Sequence, residues 1–359
     1  MAVAADRARL AIRLRIIPAC GTVDCVARNE SVDCGTGERM SRIFESLPRR
    51  SKILWVTSAG GHLSEVLKID DAISSHEDSL WVTFDTPQAQ SLLADRRVSF
   101  VDYVAPRDVA GSIVAWRRVR EILKTEKFDA CISTGAAVAA FALPYVALRG
   151  TPAFFVESLA RATGPSATGR IMRAAPRVRT LSQYESWATT SWPFQGSIVD
   201  GWEPHETRTS QDGGRKILVT LGTIRPYRFD RAVDAVLRSL RAGDDVVWQL
   251  GATTRDDLPG DVHSELGFHE LTQLASEADV VVSHAGVGSL LQMLELGKLP
   301  VLAVRSSRHG EHVDDHQSQI AVEMADRGLA RLLDFSGSNE QNFETASTIG
   351  VSPTTPSRP

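Results

Sequence analysis

Ala278 to Gln317 reads ADVVVSHAGVGSLLQMLELGKLPVLAVRSSRHGEHVDDHQ, and this stretch decides the fold. A valine-rich run (Val280, Val281, Val282) ends at Ser283 and His284. Gly286 and Gly288 follow, then Leu290, Leu291, Leu294 and Leu296 at helical spacing, and Gly297 as a stop. The pattern predicts strand, tight glycine turn, helix. Such a turn leaves the first backbone N–H groups of the helix without intrahelical partners at the positive end of its dipole, a place where phosphate sits. A second strand, Pro300 to Val304, leads into a polar loop with Arg305, Arg308, His309, Glu311, His312, Asp314, Asp315, His316 and Gln317. Polar groups therefore gather at the carboxyl ends of successive parallel strands, where open α/β sheets bind ligands.

Outward from this stretch, strands alternate with helices along most of the chain. Ile53 to Thr57 reads as a buried strand, Ser58 to Gly61 as a small-residue turn, and Leu63, Val66, Leu67 and Ile69 as a helix face. Further strands are expected at 79–84, 98–104, 128–133, 152–158 and around 178–181, with Thr134 and Gly135 opening a helix that runs to Leu148. After a polar stretch at 200–214 the pattern resumes with strands at 216–223 and 246–251. This alternation predicts an α/β protein of two doubly wound, Rossmann-like domains with parallel sheets covered on both faces. The expected division is an N-terminal extension at 1–50, a first domain at 51–200, a linker at 201–214, a second domain at 215–335 and a disordered polar tail at 336–359.

Composition narrows the function classes. The chain has 359 residues, 43% hydrophobic and 23% charged, with a net charge of −4. No basic stripe interleaved with aromatics points to nucleic acid. Four cysteines, Cys20, Cys25, Cys34 and Cys131, are too few and too scattered for a disulfide framework and fit a reducing cytoplasm. The longest apolar run, Ala136 to Leu148, is shorter than the roughly 18–20 residues of a membrane-spanning helix. Residues 1–15 carry Arg7, Arg9, Arg13 and Arg15 and read either as a disordered or mis-started extension or as a basic membrane anchor.

Several residue types suggest chemistry. Gly60, Gly61 and His62 follow the first strand. A histidine at a helix start is placed to take a proton from a hydroxyl, or else merely caps the helix. Glu157 ends a buried strand and serves an acceptor, orients His62, or makes structural hydrogen bonds. Thr220 to Thr223 is the corresponding turn of the second half. His309, His312 and His316 with Glu311, Asp314 and Asp315 read either as a metal cluster or as a polar loop opening a helix. Gln292 and Glu295 lie on a helix face where either can bond a ribose.

The motifs SHAGVGSLLQMLELGK and EHVDDHQ resemble the nucleotide-binding half of glycosyltransferase family 28. SAGGHLSEVL, STGAAVA and FVESLARATGPS resemble the acceptor-binding partner subunit found in two-part members, including the dolichol-pathway GlcNAc transferase and bacterial capsular and exopolysaccharide transferases. The likeness covers roughly residues 52–333 and looks like a fusion of the two subunits. It implies a GT-B arrangement, two domains facing a cleft. It implies inverting transfer of a hexose-type sugar (GlcNAc, glucuronate, glucose or galactose) from a UDP-sugar to a lipid-linked saccharide. The enzyme would act peripherally at the cytoplasmic face of the membrane, with no cofactor or essential metal. Carried onto this chain, Gly286, Val287, Gly288 and Ser289 cradle the diphosphate, helped by Thr223 and Arg305, and His284 is also on the donor side. His316 and Gln317 face the nucleotide-sugar, and His62 is the suspected base, with Gly60, Gly61 and Gly135 on the acceptor side. The chain departs from relatives at Gln292, where many carry a ribose-binding glutamate. UDP-sugar epimerase or hydrolase chemistry and a non-catalytic nucleotide-binding scaffold remain alternatives.

Overall fold

The computed structural model describes residues 44–104, 108–135, 137–207, 213–223, 225–312 and 315–354. Cys20, Cys25, Cys34, the basic stretch 1–15, Asp314 and residues 355–359 lie outside the described residues.

The first domain alternates β1 (Ile53–Val56), α1 (Gly61–Ile73), β2 (Leu80–Phe84), α2 (Pro87–Leu92), β3 (Arg97–Val101) and α3 (Val109–Thr125). It continues with β4 (Ala130–Ser133), α4 (Ala137–Leu148), β5 (Ala153–Val156), α5 (Ala167–Ala174) and β6 (Val178–Leu181). All six strands are parallel, in the order β3-β2-β1-β4-β5-β6. β1, β2, β4 and β5 are buried along their whole length, which is why they read as continuous apolar runs and not as alternating ones. One face packs under α1 and α2 through Trp55, Leu63, Val66 and Phe154, and the other under α3 and α4 through Val56, Val119, Leu143 and Phe155.

After β7 (Trp202–Glu206), the second domain runs β8 (Lys216–Thr220), α6 (Asp230–Leu237), β9 (Asp245–Gln249), β10 (Asp261–His263), α7 (Phe268–Glu277) and β11 (Val280–His284). It then adds α8 (Val287–Glu295), β12 (Val301–Ala303), α9 (His316–Asp326), β13 (Arg331–Leu332), α10 (Glu340–Thr348) and β14 (Ile349–Pro353). Its sheet repeats the first, β10-β9-β8-β11-β12-β13, again all parallel. In each sheet the strand order reverses between the first strand and the fourth, β1/β4 and β8/β11. The turns after these four strands border the crevice where a doubly wound sheet takes its ligand. Those turns carry Gly60 to His62, Thr134 and Gly135, Leu221 to Thr223, and His284 to Gly288.

The structure corrects three boundaries. Residues 336–353 were expected to be disordered, yet they form α10 and β14. Phe343 and Ala346, three apart on α10, are buried in the second core, and Val351 in the core that both domains share. A polar composition conceals them because only a few apolar residues do the anchoring. The expected linker contains β7, which pairs antiparallel with β14 from Trp202↔Pro353 to Glu206↔Ile349. β7 shows no sequence periodicity because its residues from Glu203 to Glu206 are exposed. Residues 44–50 belong to the first domain and not to an extension: Phe44 and Leu47 are buried in its core, and Phe44 N donates to Gln195 O.

Candidate active site between two glycine turns

In the second domain, β11 delivers His284 to the switch point. Its ring lies between Gly222 and Gly286. A Cβ would stand 2.8 Å from the ring Cε1 at Gly222 and 2.5 Å from Nε2 at Gly286, so both positions need glycine. Gly222 also has φ 75°, which a side chain disfavours. His284 Nδ1 is shielded from solvent without a hydrogen-bond partner. Burial, reinforced by the positive charge of Arg305, pushes its pKa down to about 4, so the imidazole is neutral at ordinary pH. Beside it, α8 starts at Gly286 with no side-chain cap. Leu290 N makes the first intrahelical bond to Gly286 O, which leaves the amides of Val287, Gly288 and Ser289 for an anion.

The other expected donor residues fall into different roles. Gln317 is buried on the first turn of α9, and its Oε1 has no partner, as befits a group awaiting a ligand. Thr223 lies exposed on the turn after β8. His316 opens α9, but its side chain is outside the described residues. Gln292 donates through Nε2 to Thr272 Oγ1 of α7 at 2.9 Å, which anchors its amide.

Arg305 requires a correction. It was expected to reach the diphosphate, but it is buried and donates to the carbonyls of Leu221, Tyr227 and Glu311 at 2.7, 3.1 and 2.8 Å. It stacks on Phe229, with 4.7 Å to the ring centroid. Three donor bonds to backbone tie the turn after β8 to the loop after β12, so this arginine braces the site and supplies field, not direct contact.

In the first domain, Gly60 turns the chain at φ 77° and α1 begins, again with no side-chain cap. His62, on its first turn, has a side chain 32% exposed. Its Nδ1 lies 3.4 Å from Glu65 Oε2 and 3.2 Å from Thr134 Oγ1. Gly135, with φ 139°, packs on the ring, and a Cβ there would be 2.9 Å from His62 Cε1. Gly135 is therefore part of the seat of the histidine.

The two turns touch. A Cβ on Gly61 would lie 3.2 Å from Val287 Cβ and 3.4 Å from Gly288 N, and one on Gly288 would lie 3.4 Å from Gly61 Cα. α1 and α8 run side by side from this contact to the Lys68–Glu295 ion pair at 2.7 Å. Leu63, Val66, Leu290, Leu291 and Leu294 share one core across the domain boundary. Thr163 N donates to Gln319 Oε1, and Arg327 pairs with Asp200 at 2.7 Å, which adds polar ties between the halves. Two uncapped helix starts thus bring two positive dipole ends together, with His62 one residue from the contact.

Of the three roles read for Glu157, the structural one matches its contacts, and it is not the carboxylate at His62. Its Oε2 accepts from Ser166 N and Oγ at 3.0 and 3.3 Å, and its Oε1 from Ser158 N at 3.3 Å. It supports the start of α5, where Gly169 leaves room for it: a Cβ there would fall 2.1 Å from Oε2. Burial pushes its pKa up, partly offset by Ser166. The carboxylate at His62 is Glu65, one helical turn beyond the histidine and not among the residues singled out from the sequence. The alternative metal cluster is also differently employed. Glu311 pairs with Arg231 at 2.8 Å, Asp315 accepts from Ser307 N and Oγ at 2.7 Å each, and no set of three metal-ligating side chains converges among the described residues.

Residues 216–332 match the Glycosyltransferase family 28 C-terminal domain. The chain is 23% identical over 309 residues to a UDP-N-acetylglucosamine–N-acetylmuramyl-(pentapeptide) pyrophosphoryl-undecaprenol N-acetylglucosamine transferase of Christiangramia forsetii, covering 76% of this chain and 81% of that one. Over 66 residues, 18% of this chain and 32% of the relative, it is 44% identical to the UDP-N-acetylglucosamine transferase subunit ALG13 of Yarrowia lipolytica. Among solved structures, the glycotransferase of kitacinnamycin shares the fold with a TM-score of 0.51 at 16% identity, over 84% of this chain and 90% of that one.

Proposed function

We propose that this chain is a glycosyltransferase of family 28 on a GT-B frame that moves a hexose-type sugar from a UDP-sugar to a lipid-linked saccharide with inversion. The observation that carries this reading is the contact between Gly61 and Gly288, which sets His62 beside the open amides of α8. The printed names of the relatives favour GlcNAc as the sugar and a polyprenyl diphosphate as the carrier.

The acceptor hydroxyl gives its proton to His62 Nε2 as its oxygen bonds to the anomeric carbon. The bond from that carbon to the diphosphate breaks on the opposite face, and its electron pair leaves on UDP. The amides of Val287, Gly288 and Ser289 take up the developing charge, with neutral His284 against them and the field of Arg305 behind. Fixed dipoles of this kind do the work of a cation, so the reaction runs without a resident metal. Gln317 Oε1 and the anchored Gln292 receive donor hydroxyl or base N–H groups.

The acceptor side fits a membrane surface. α4, AVAAFALPYVAL, bears no charged residue, yet Phe141 and Leu148 are exposed, and Leu148 is 59% open. α4 packs between α3 and α5, which expose Val114 and Ile171. α3 and α5 also carry the exposed Arg117, Arg118, Arg120, Arg170 and Arg173. Such a face suits peripheral binding to anionic lipid on the cytoplasmic side. No helix among the described residues is long and apolar enough to cross a membrane.

The test is to incubate the full chain with UDP-GlcNAc, UDP-glucuronate, UDP-glucose and UDP-galactose in turn, with and without a polyprenyl-diphosphate saccharide, in EDTA. UDP release with one donor, dependent on the acceptor, is expected. Conversion of a UDP-sugar without acceptor would overturn the reading in favour of an epimerase or hydrolase.

A further inference from the structure

From the surroundings of His62 we infer that Glu65 is a positioning residue that fixes the tautomer and the aim of the base. The inference rests on the transferase reading above. Glu65 is fully buried, a costly place for a carboxylate unless each oxygen is used. Its Oε1 accepts from Ser158 Oγ at 2.8 Å and Leu159 N at 2.7 Å, residues 93 and 94 positions away in sequence. Its Oε2 has no such donor and points at His62 Nδ1, 3.4 Å distant.

Thr134 completes the assignment. Its hydroxyl donates to His62 O at 3.3 Å, so its oxygen faces His62 Nδ1 as an acceptor. Two acceptors, Glu65 Oε2 and Thr134 Oγ1, therefore surround Nδ1. The proton must sit on Nδ1, which leaves the Nε2 lone pair free for a substrate hydroxyl. Gly135 against the ring and the clamp of Ser158 and Leu159 on Glu65 hold this arrangement from opposite sides. When His62 takes the acceptor proton, the adjacent carboxylate stabilises the imidazolium. Glu65 acts through His62 and touches no substrate.

The geometry makes Glu65→Gln an unusually pointed variant. The Ser158 hydroxyl and the Leu159 amide both need an acceptor, so the amide oxygen must take the place of Oε1. The NH2 group then faces His62 Nδ1 and forces that nitrogen to accept, which moves the histidine proton to Nε2 and blocks the base. Thermal melting should show Glu65→Gln folded, while kcat falls by about 10²-fold or more with KM for the UDP-sugar nearly unchanged. In a His62→Ala background the same substitution should change kcat by less than about twofold, because Glu65 acts only through His62. Long-range 1H–15N spectra of the wild-type chain, with His62 assigned by comparison with His62→Ala, should show the Nδ1–H tautomer.

The failures separate cleanly. Normal transfer by His62→Ala would remove the base, and with it this role for Glu65. An inactive His62→Ala beside a fully active Glu65→Gln would sink only the Glu65 inference. Should Glu65→Gln melt early, the wild-type spectrum decides, and an Nε2–H tautomer there overturns the proposal.

Discussion

His62 and His284 occupy related corners of two sheets with the same strand order, and each ring is seated on a glycine from the neighbouring turn, Gly135 for one and Gly222 for the other. Their surroundings diverge. His62 is partly open and has a buried carboxylate at Nδ1. His284 has an unpartnered, solvent-shielded Nδ1 and a buried arginine nearby that helps keep it uncharged down to about pH 4. A carboxylate stands beside one histidine, whereas burial and a positive charge keep the other neutral, a state suited to contact with an anion. The crevice thus holds two histidines in different settings, His62 after the first strand of one sheet and His284 at the end of the fourth strand of the other.

The comparison can be broken most sharply at His62. His62→Ala should lower kcat by about 10²- to 10⁴-fold and leave UDP affinity by calorimetry nearly intact. A smaller effect is expected from displacing each ring in turn. Gly135→Ala pushes on His62 and should cost roughly 10- to 100-fold in kcat. Gly222→Ala pushes on His284 and should instead raise the KM for the UDP-sugar, by roughly tenfold, with the smaller change in kcat. If both variants moved the same constant, the division of labour would be wrong.

Acid should separate the histidines as well. The pKa of His284 is about 4 in the folded chain and about 6.5 when unfolded, so between those values the unfolded chain binds a proton that the folded one refuses. Stability from this group is full above pH 6.5 and lost as pH falls toward 4. Melting temperatures of His284→Asn should therefore depend less steeply on pH in that window than those of the wild type. The smallest effect is expected at the far end of the paired helices: Lys68→Ala removes a partly buried ion pair with Glu295 and should cost about 1 kcal/mol or less by chemical denaturation.

Much of this arrangement is legible in the chain itself. The apolar runs and the glycine turns after the first and fourth strands, with His62 and His284 in them, lie where their spacing places them. What escaped notice depends on contacts between distant residues. Glu65 carries no sequence signal of its own, and only the fold brings Ser158 and Leu159 to cover it. Arg305 reads as a loop arginine free to meet phosphate, and only the turn after β8, more than eighty residues earlier, consumes its donors. Glu157 looks like a ligand-facing carboxylate because the strand end that exposes such groups is visible in sequence, whereas the helix start that occupies it is not. The tail from 336 carries too few apolar residues to register as structure, yet Phe343, Ala346 and Val351 meet prepared cores.

The antiparallel pairing of β7 with β14 has a consequence for how the chain can be divided. A break between Thr207 and Gly213 would leave β7 on one fragment and β14 on the other. The α1–α8 seam would be split in the same way, with Gly61 on one piece and Gly288 on its mate. Each fragment would carry one half of an apolar interface and one half of a strand ladder. Such pieces are built to find each other, so a two-gene version of this enzyme needs no surface that the single chain does not already possess.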